Sequence, residues 1–255
     1  MRILAIHAHP DDIETLAAGT LALLARAGHT ISIVTLTAGD CGSADAGPEE
    51  TGRVRMAEAA RAAAMIGADY RCAGFGDLSV FNDDASRRAV TELVRWARPE
   101  LVITSAPVDY HPDHEATSIL VRDACFAASA RNYRTGPSEP LAAIPHLYFT
   151  DPIGGRDREG VPCPPHFAVD VGAAFETKRA MLACHESQKD WLLQQHSITD
   201  YVGAMVAWSK KRGREFGVAY AEGFRQYRNH PYPEQPLLQE LVGAALIQPV
   251  PPTSA

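Results

Sequence analysis

The sequence is poor in cysteine, in basic charge and in long apolar runs, and each shortage closes off a class of protein. Its 255 residues include five cysteines (Cys41, Cys72, Cys125, Cys163 and Cys184), an odd number with no CxxC spacing. That argues against a disulfide framework and a cysteine-rich zinc module, and for a reducing compartment. Lys and Arg total 24 against 31 Asp and Glu, a formal net charge of -7, with a pI of about 5.8. A general binder of nucleic acid or of an anionic membrane needs the opposite balance. No window approaches the roughly 18 apolar residues that span a bilayer. The first apolar run is too short for a signal peptide and flows straight into charge. The expectation is a soluble cytoplasmic protein that contacts neither nucleic acid nor membrane.

Two familiar motifs are also missing. There is no HExxH, so a helix-borne protease zinc site is absent. The first strand-to-helix turn carries no G-x-G-x-x-G, and carboxylates there would repel a pyrophosphate.

What stands in that turn is Ala8-His9-Pro10-Asp11-Asp12-Ile13-Glu14, after the apolar run Ile3-Leu4-Ala5-Ile6. Charge gathered at the carboxyl end of a buried strand is costly unless a cation or a substrate uses it. One aspartate at a helix start reads as a cap; one imidazole with three carboxylates in six residues does not. For Glu14, a charge in the first helical turn and a supporting role at the site stay equally open.

Along the chain, strands are predicted at 2–8, 30–37, 70–73, 101–105, 147–150 and 166–171. Helices are predicted at 17–27, 49–66, 84–97, 115–130, 173–186 and 199–212. Residues 217–227 read as either strand or loop. The alternation implies βαβ units: an α/β fold with a Rossmann-like, mostly parallel sheet and helices on both faces. Residues 132–165 hold seven prolines and read as an irregular excursion over the site. A single domain over 1–247 and a loose proline-rich tail over 248–255 are expected. Loops at 39–48, 74–84 and 131–165 are expected to carry specificity.

In such sheets ligands bind beyond the carboxyl ends of the strands. His9 lies just past the first strand and His111-Pro112-Asp113-His114 just past the fourth, so topology alone brings two His/Asp clusters to one edge. Of ten histidines only His9, His111 and His114 sit in motifs that also carry aspartates. Zinc takes imidazole nitrogen and carboxylate oxygen, and a catalytic site keeps a position for water. Asp11 and Asp12 are neighbours and point apart, so one can ligate while the other faces the water.

His9-Pro10-Asp11-Asp12-Ile13-Glu14 together with Pro107-Val108-Asp109-Tyr110-His111-Pro112-Asp113-His114 resembles the PIG-L/LmbE zinc-dependent N-deacetylases. Arg55-Met56-Ala57-Glu58 matches the R-x-x-E helix of that family, Asp77 its aspartate after the third strand, and Lys178 with His185-Glu186-Ser187-Gln188 its later helix. The resemblance implies a hydrolase that removes the acetyl group from an N-acetylglucosamine-type amino sugar or its conjugate. It implies His9, Asp12 and His114 as ligands to one zinc ion per chain, and Asp11 as the base for the metal-bound water. His111, as imidazolium, would stabilise the oxyanion or protonate the leaving amine, with Asp113 orienting it. Some members place a tyrosine where this chain has Asp109, so no tyrosine role carries over.

Arg55, Asp77 and Asp109 are candidate substrate contacts; Arg55 reads equally as a surface partner of Glu58. His185 reads as packing near the site. Trp191, Trp208 and the tyrosines between 220 and 232 read as core or subunit contacts ahead of an apolar sugar platform, and with the resemblance they are consistent with a homo-oligomer. Competing readings are an amidase for a larger sugar conjugate, a nucleotide-binding Rossmann protein, and a non-catalytic relative.

Overall fold

The computed structural model describes residues 1–196, 199–243 and 247–249. In chain order the elements are β1 (Arg2–His7), α1 (Asp12–Leu16), α2 (Ala18–Arg26), β2 (Thr30–Thr37), α3 (Pro48–Ala64) and β3 (Asp69–Phe75). Then come α4 (Asp84–Ala97), β4 (Leu101–Thr104), α5 (Pro112–Ala127), β5 (His146–Thr150), β6 (Phe167–Asp170) and α6 (Phe175–Ala183). The last are α7 (Gln188–His196), α8 (Tyr201–Phe216), β7 (Ala221–Gln226), α9 (Leu237–Val242) and β8 (Ile247–Pro249).

The strands form one eight-stranded sheet in the order β3-β2-β1-β4-β5-β7-β6-β8. The first five in that order run parallel, and the β5–β7, β7–β6 and β6–β8 pairs are antiparallel. The sheet is therefore Rossmann-like with a mixed edge. The 217–227 stretch resolves into β7, which pairs on both sides. The expected tail begins as a strand, since Gln248 and Pro249 pair with β6; residues 250–255 lie outside the described residues.

β1 shows why two cores form. Its side chains alternate across the pleat, so Ile3 and Ala5 join a core with α1, α2, α6 and α9, while Leu4 and Ile6 join one with α4 and α5. Each fully buried Leu or Ile contributes about 1.5–3 kcal/mol. A strand buried on both faces reads as a continuous apolar run, which is what a central parallel strand requires. Among the described residues no helix is long and apolar enough to cross a membrane.

Two local details place the site. After β3 the chain returns to the opposite side of β1 to form β4, so the strand order reverses at β1 and opens a crevice there. The second motif was expected in a loop with a helix from Glu115; α5 instead starts at Pro112, with His111 as its N-cap. Proline is favoured in the first turn because the missing N–H has no helical partner there. Asp113 and His114 thereby become helix-borne and fixed. α7 and α9 were not anticipated from the pattern.

Candidate metal centre and catalytic site

Four possible donor atoms from three side chains converge at the crevice. His9 Nδ1 lies 3.3 Å from His114 Nε2 and 3.4 Å from Asp12 Oδ2, and His114 Nε2 lies 3.3 Å from Asp12 Oδ1. Ligand atoms 2.0–2.1 Å from zinc are about 3.3–3.4 Å apart, which is the separation of the two nitrogens and of each nitrogen from one of the two Asp12 oxygens. Close groupings of potential ligands in the same region are His9 with His111 and His114, His7 with Asp12 and His114, and His9 with Asp77 and Asp113.

Each of these donors is held from behind. His9 Nε2 is 2.9 Å from Asp77 Oδ1 and 3.3 Å from Asp113 Oδ2. His114 Nδ1 is 3.3 Å from Asp109 Oδ2. Asp12 Oδ2 accepts from the His9 backbone N–H at 2.8 Å and lies 2.9 Å from His7 Nδ1. A carboxylate behind each imidazole is the arrangement that orients a metal-ligating histidine and raises its basicity.

The electrostatics agree. Burial works against an imidazolium at His9, yet hydrogen bonds from Asp113, Asp12 and Asp77 push its pKa well above the usual value. Burial also opposes charge on His114, but Asp12 and Asp109 raise it to about 9. Asp12 is held well below the carboxylate range by His114 and His7 against its own burial. The carboxylates around the two imidazoles favour positive charge at the cluster, which a divalent cation can also supply.

Asp11 differs from its neighbour in every respect. It precedes α1 with φ 90°, in the left-handed region, and its side chain caps nothing. Its carboxylate instead meets Arg55 Nη2 at 3.3 Å. Burial raises its pKa, with Arg55 pulling the other way. Tyr201 stands beside it; burial and the Asp11 charge drive that phenol far above its ordinary pKa.

His111 Nδ1 accepts the Asp113 backbone N–H at 3.2 Å, which leaves the proton on Nε2 and makes the ring a neutral donor. The ring stacks on His114 with centroids 4.9 Å apart and meets His9 edge-on at 4.7 Å. The resemblance implies an imidazolium oriented by the Asp113 carboxylate. The structure corrects this: the carboxylate accepts from Leu78 N at 2.7 Å and backs His9, and only the Asp113 backbone reaches His111.

The three expected substrate contacts are also engaged elsewhere. Asp77 faces His9, and its second oxygen accepts from Cys41 N at 3.3 Å. Asp109 is buried against His114 and accepts from Ile153 N at 3.0 Å. Arg55 is buried rather than paired with Glu58, donating to Gly39 O and Pro10 O at 2.8 Å each. Gly39 has φ +64°, and a Cβ there would collide with the Arg55 guanidinium. Glu58 accepts from Ser187 N and Oγ at 2.9 and 2.6 Å. Glu14 is buried with its Oε1 3.5 Å from His185 Nε2. Lys178 is buried, donating to Thr15 O and pairing with Glu222 at 2.5 Å.

Sequence reasoning missed His7 and Tyr201. His7 was findable, since it shares strand parity with His9 and so points to the same side. Tyr201 was not, because its helix is remote in sequence.

Residues 4–125 match the family model described as PIG-L: GlcNAc-PI de-N-acetylase. A 1D-myo-inositol 2-acetamido-2-deoxy-alpha-D-glucopyranoside deacetylase from Nakamurella multipartita is 30% identical over 243 residues, covering 75% of this chain and 80% of its own length. A 4-oxalmesaconate hydratase from Pseudomonas putida is 25% identical over 236 residues, 87% of each chain. Among solved structures, the conserved protein TT1542 from Thermus thermophilus superposes with a TM-score of 0.74 at 29% identity, over 92% of this chain and 99% of that one.

Proposed function

The chain belongs to the PIG-L family of GlcNAc-PI de-N-acetylases, and on that premise we propose that it is a zinc-dependent hydrolase removing the acetyl group from an N-acetylglucosamine-type amino sugar or its conjugate. One observation carries this reading: His9 Nδ1 and His114 Nε2 lie 3.3 Å apart, each within 3.3–3.4 Å of an Asp12 oxygen, and each imidazole is backed by a carboxylate.

His9, Asp12 and His114 would hold the ion. When bound, zinc supplies Lewis acidity to the acyl oxygen and acidifies the attacking water. Asp11 takes a proton from that water; its carboxylate is spared from helix capping and steadied by Arg55. His111, neutral with its proton on Nε2, donates to the acyl oxygen as charge develops there. The proton held by Asp11 passes to the sugar nitrogen as the carbon–nitrogen bond breaks. Water thus contributes hydroxyl to the acetate and hydrogen to the amine. His7, Asp77, Asp109 and Asp113 are positioning residues that act through the ligands.

A second reading, water addition by the same centre to an unsaturated carboxylate, is favoured by the 87% coverage shared with the hydratase. The end of the cavity at the ligands counts against it, because it is lined by Asp11, Asp12, Thr15, Tyr110 and His114 and offers no Lys or Arg there. Lys211 and Arg214 stand at the far rim, about 15 and 20 Å along α8 from Tyr201, so a compact polycarboxylate held at the metal would not reach them.

The test is release of primary amine from a panel of N-acetyl amino sugars and their glycosides, run beside loss of 4-oxalmesaconate absorbance. Amine release that a chelator abolishes and zinc restores supports deacetylation. Loss of 4-oxalmesaconate without amine release replaces it with the second reading.

A further inference from the structure

The cavity that opens from the metal cluster has a volume of about 610 Å³, the size of a site for a drug-sized ligand rather than for one sugar ring. Its two ends differ in chemistry. The inner end holds Asp11, Asp12, Thr15, Tyr110 and His114. The outer wall is one stripe of α8, where Tyr201, Ala204, Trp208, Lys211 and Arg214 recur at helical spacing. Tyr201 stands beside Asp11. At 1.5 Å per residue, Lys211 and Arg214 lie about 15 and 20 Å further along the helix axis.

Between those ends the lining is apolar: Leu16, Ile153, Leu192, Ala204, Ala207 and Trp208. Ala204 and Ala207 leave a trough in the helix surface. At its end Lys211 and Arg214 are exposed, and among the described residues neither has a carboxylate within ion-pair distance. Arg212, between them in sequence, is turned inward onto Asp151 at 2.8 Å and also pairs with Glu215. The Lys211 ammonium stands 5.1 Å over the Trp208 ring, which holds it at the rim of the trough.

A sugar ring finds hydroxyl partners only at the inner end. A second sugar or an inositol in the middle would bury hydroxyls against alanine, leucine and isoleucine with nothing to bond. We propose that the α8 trough is a subsite for an apolar group that is attached to the amino sugar and ends in an anion, a carboxylate or phosphate bound by Lys211 and Arg214. The inference rests on the deacetylase reading and names the substrate class within it: sugar at the metal, apolar spacer over Ala204, Ala207 and Trp208, anion at the rim.

The probes are the 8-carboxyoctyl glycoside of N-acetylglucosamine in both anomers, its methyl ester, and free N-acetylglucosamine, each assayed for amine release with zinc-loaded protein. The subsite requires kcat/KM to rise in the order free sugar, ester, acid. The acid should exceed the ester by about ten-fold at low salt, and the gap should shrink as salt rises. In the double variant Lys211→Ala, Arg214→Ala the acid-to-ester ratio should fall to about one. Equal values for acid and ester, an ester no better than the free sugar, or a ratio that survives in the double variant overturns the subsite while deacetylation stands. No amine from any probe, with zinc bound, sinks the deacetylase reading and the subsite with it.

Discussion

The two ends of the cleft are built to opposite specifications. At the inner end the donor atoms are buried and nearly every one is held by a second group: His9 by Asp77 and Asp113, His114 by Asp109, Asp12 by His7 and the His9 backbone. At the outer end exposed cations sit on long side chains, and the one firm anchor is the inward Arg212–Asp151 pair. Buried groups in such a network move together, so a change to any one is felt at the metal. Exposed groups on a helix face can be exchanged without disturbing the fold. On the proposed reading the chemistry is thus lodged where substitution is costly, and the preference among substrates where it is cheap.

That contrast can be broken from either end. The largest expected effect is on the proton. Asp11→Asn keeps the shape and removes the base, so amine release should fall by about 10²–10⁴-fold with KM little changed; a loss under ten-fold would move the base elsewhere. Next is the ion pair beneath the site. Lys178 ties α6 to α1 through Thr15 O and neutralises Glu222. Lys178→Met removes the cation from a buried carboxylate that keeps only the Gly19 and Thr20 backbone N–H groups as partners, and should destabilise the fold by about 3–5 kcal/mol in denaturant titration. The double variant with Glu222→Leu should recover little of that, because it leaves the buried Gly19 and Thr20 N–H groups without their acceptor.

Smaller again is the support behind the ligands. Asp77→Asn should weaken zinc by about 10–100-fold in competition with a chromophoric chelator, whereas Lys211→Ala should leave zinc affinity where it was. Equal losses would erase the distinction between the two ends.

The smallest effect is on pH. Burial raises the Asp151 carboxyl to about 6 in spite of Arg212. A folded-state value above the unfolded one of about 3.9 means the native chain keeps a proton that the unfolded chain gives up. This contribution is complete below about pH 4 and is lost as pH rises through 6. The thermal midpoint should therefore drop by a few degrees between pH 5 and 7, and Asp151→Asn should shrink that drop, leaving the part that the raised His9 and His114 contribute above about pH 6.5.

Much of the inner end was legible in the sequence. β1 and β4 announce themselves as apolar runs, and a parallel sheet must bring their carboxyl ends to one edge, so His9, Asp12, His111 and His114 meet for topological reasons. What stands behind each imidazole was not legible. Asp113 could serve His111 or His9, and the choice is made by the loop that brings Leu78 N to its carboxylate. Arg55 and Glu58, one helical turn apart, look like a pair, yet each is drawn to a different loop by a backbone partner. α8 was expected near its observed place, but Tyr201, Met205 and Trp208 form a stripe that reads the same whether it faces a core or a cleft. The β8 strand hides in a proline-containing stretch because an edge position tolerates Pro249.

The division of labour between two adjacent carboxylates is the central claim, and zinc content decides it. Purified Asp11→Asn should carry about one zinc per chain while releasing almost no amine. Asp12→Asn, handled identically, should carry little or none. If Asp11→Asn loses zinc as completely as Asp12→Asn does, Asp11 belongs to the metal and the assigned base is wrong.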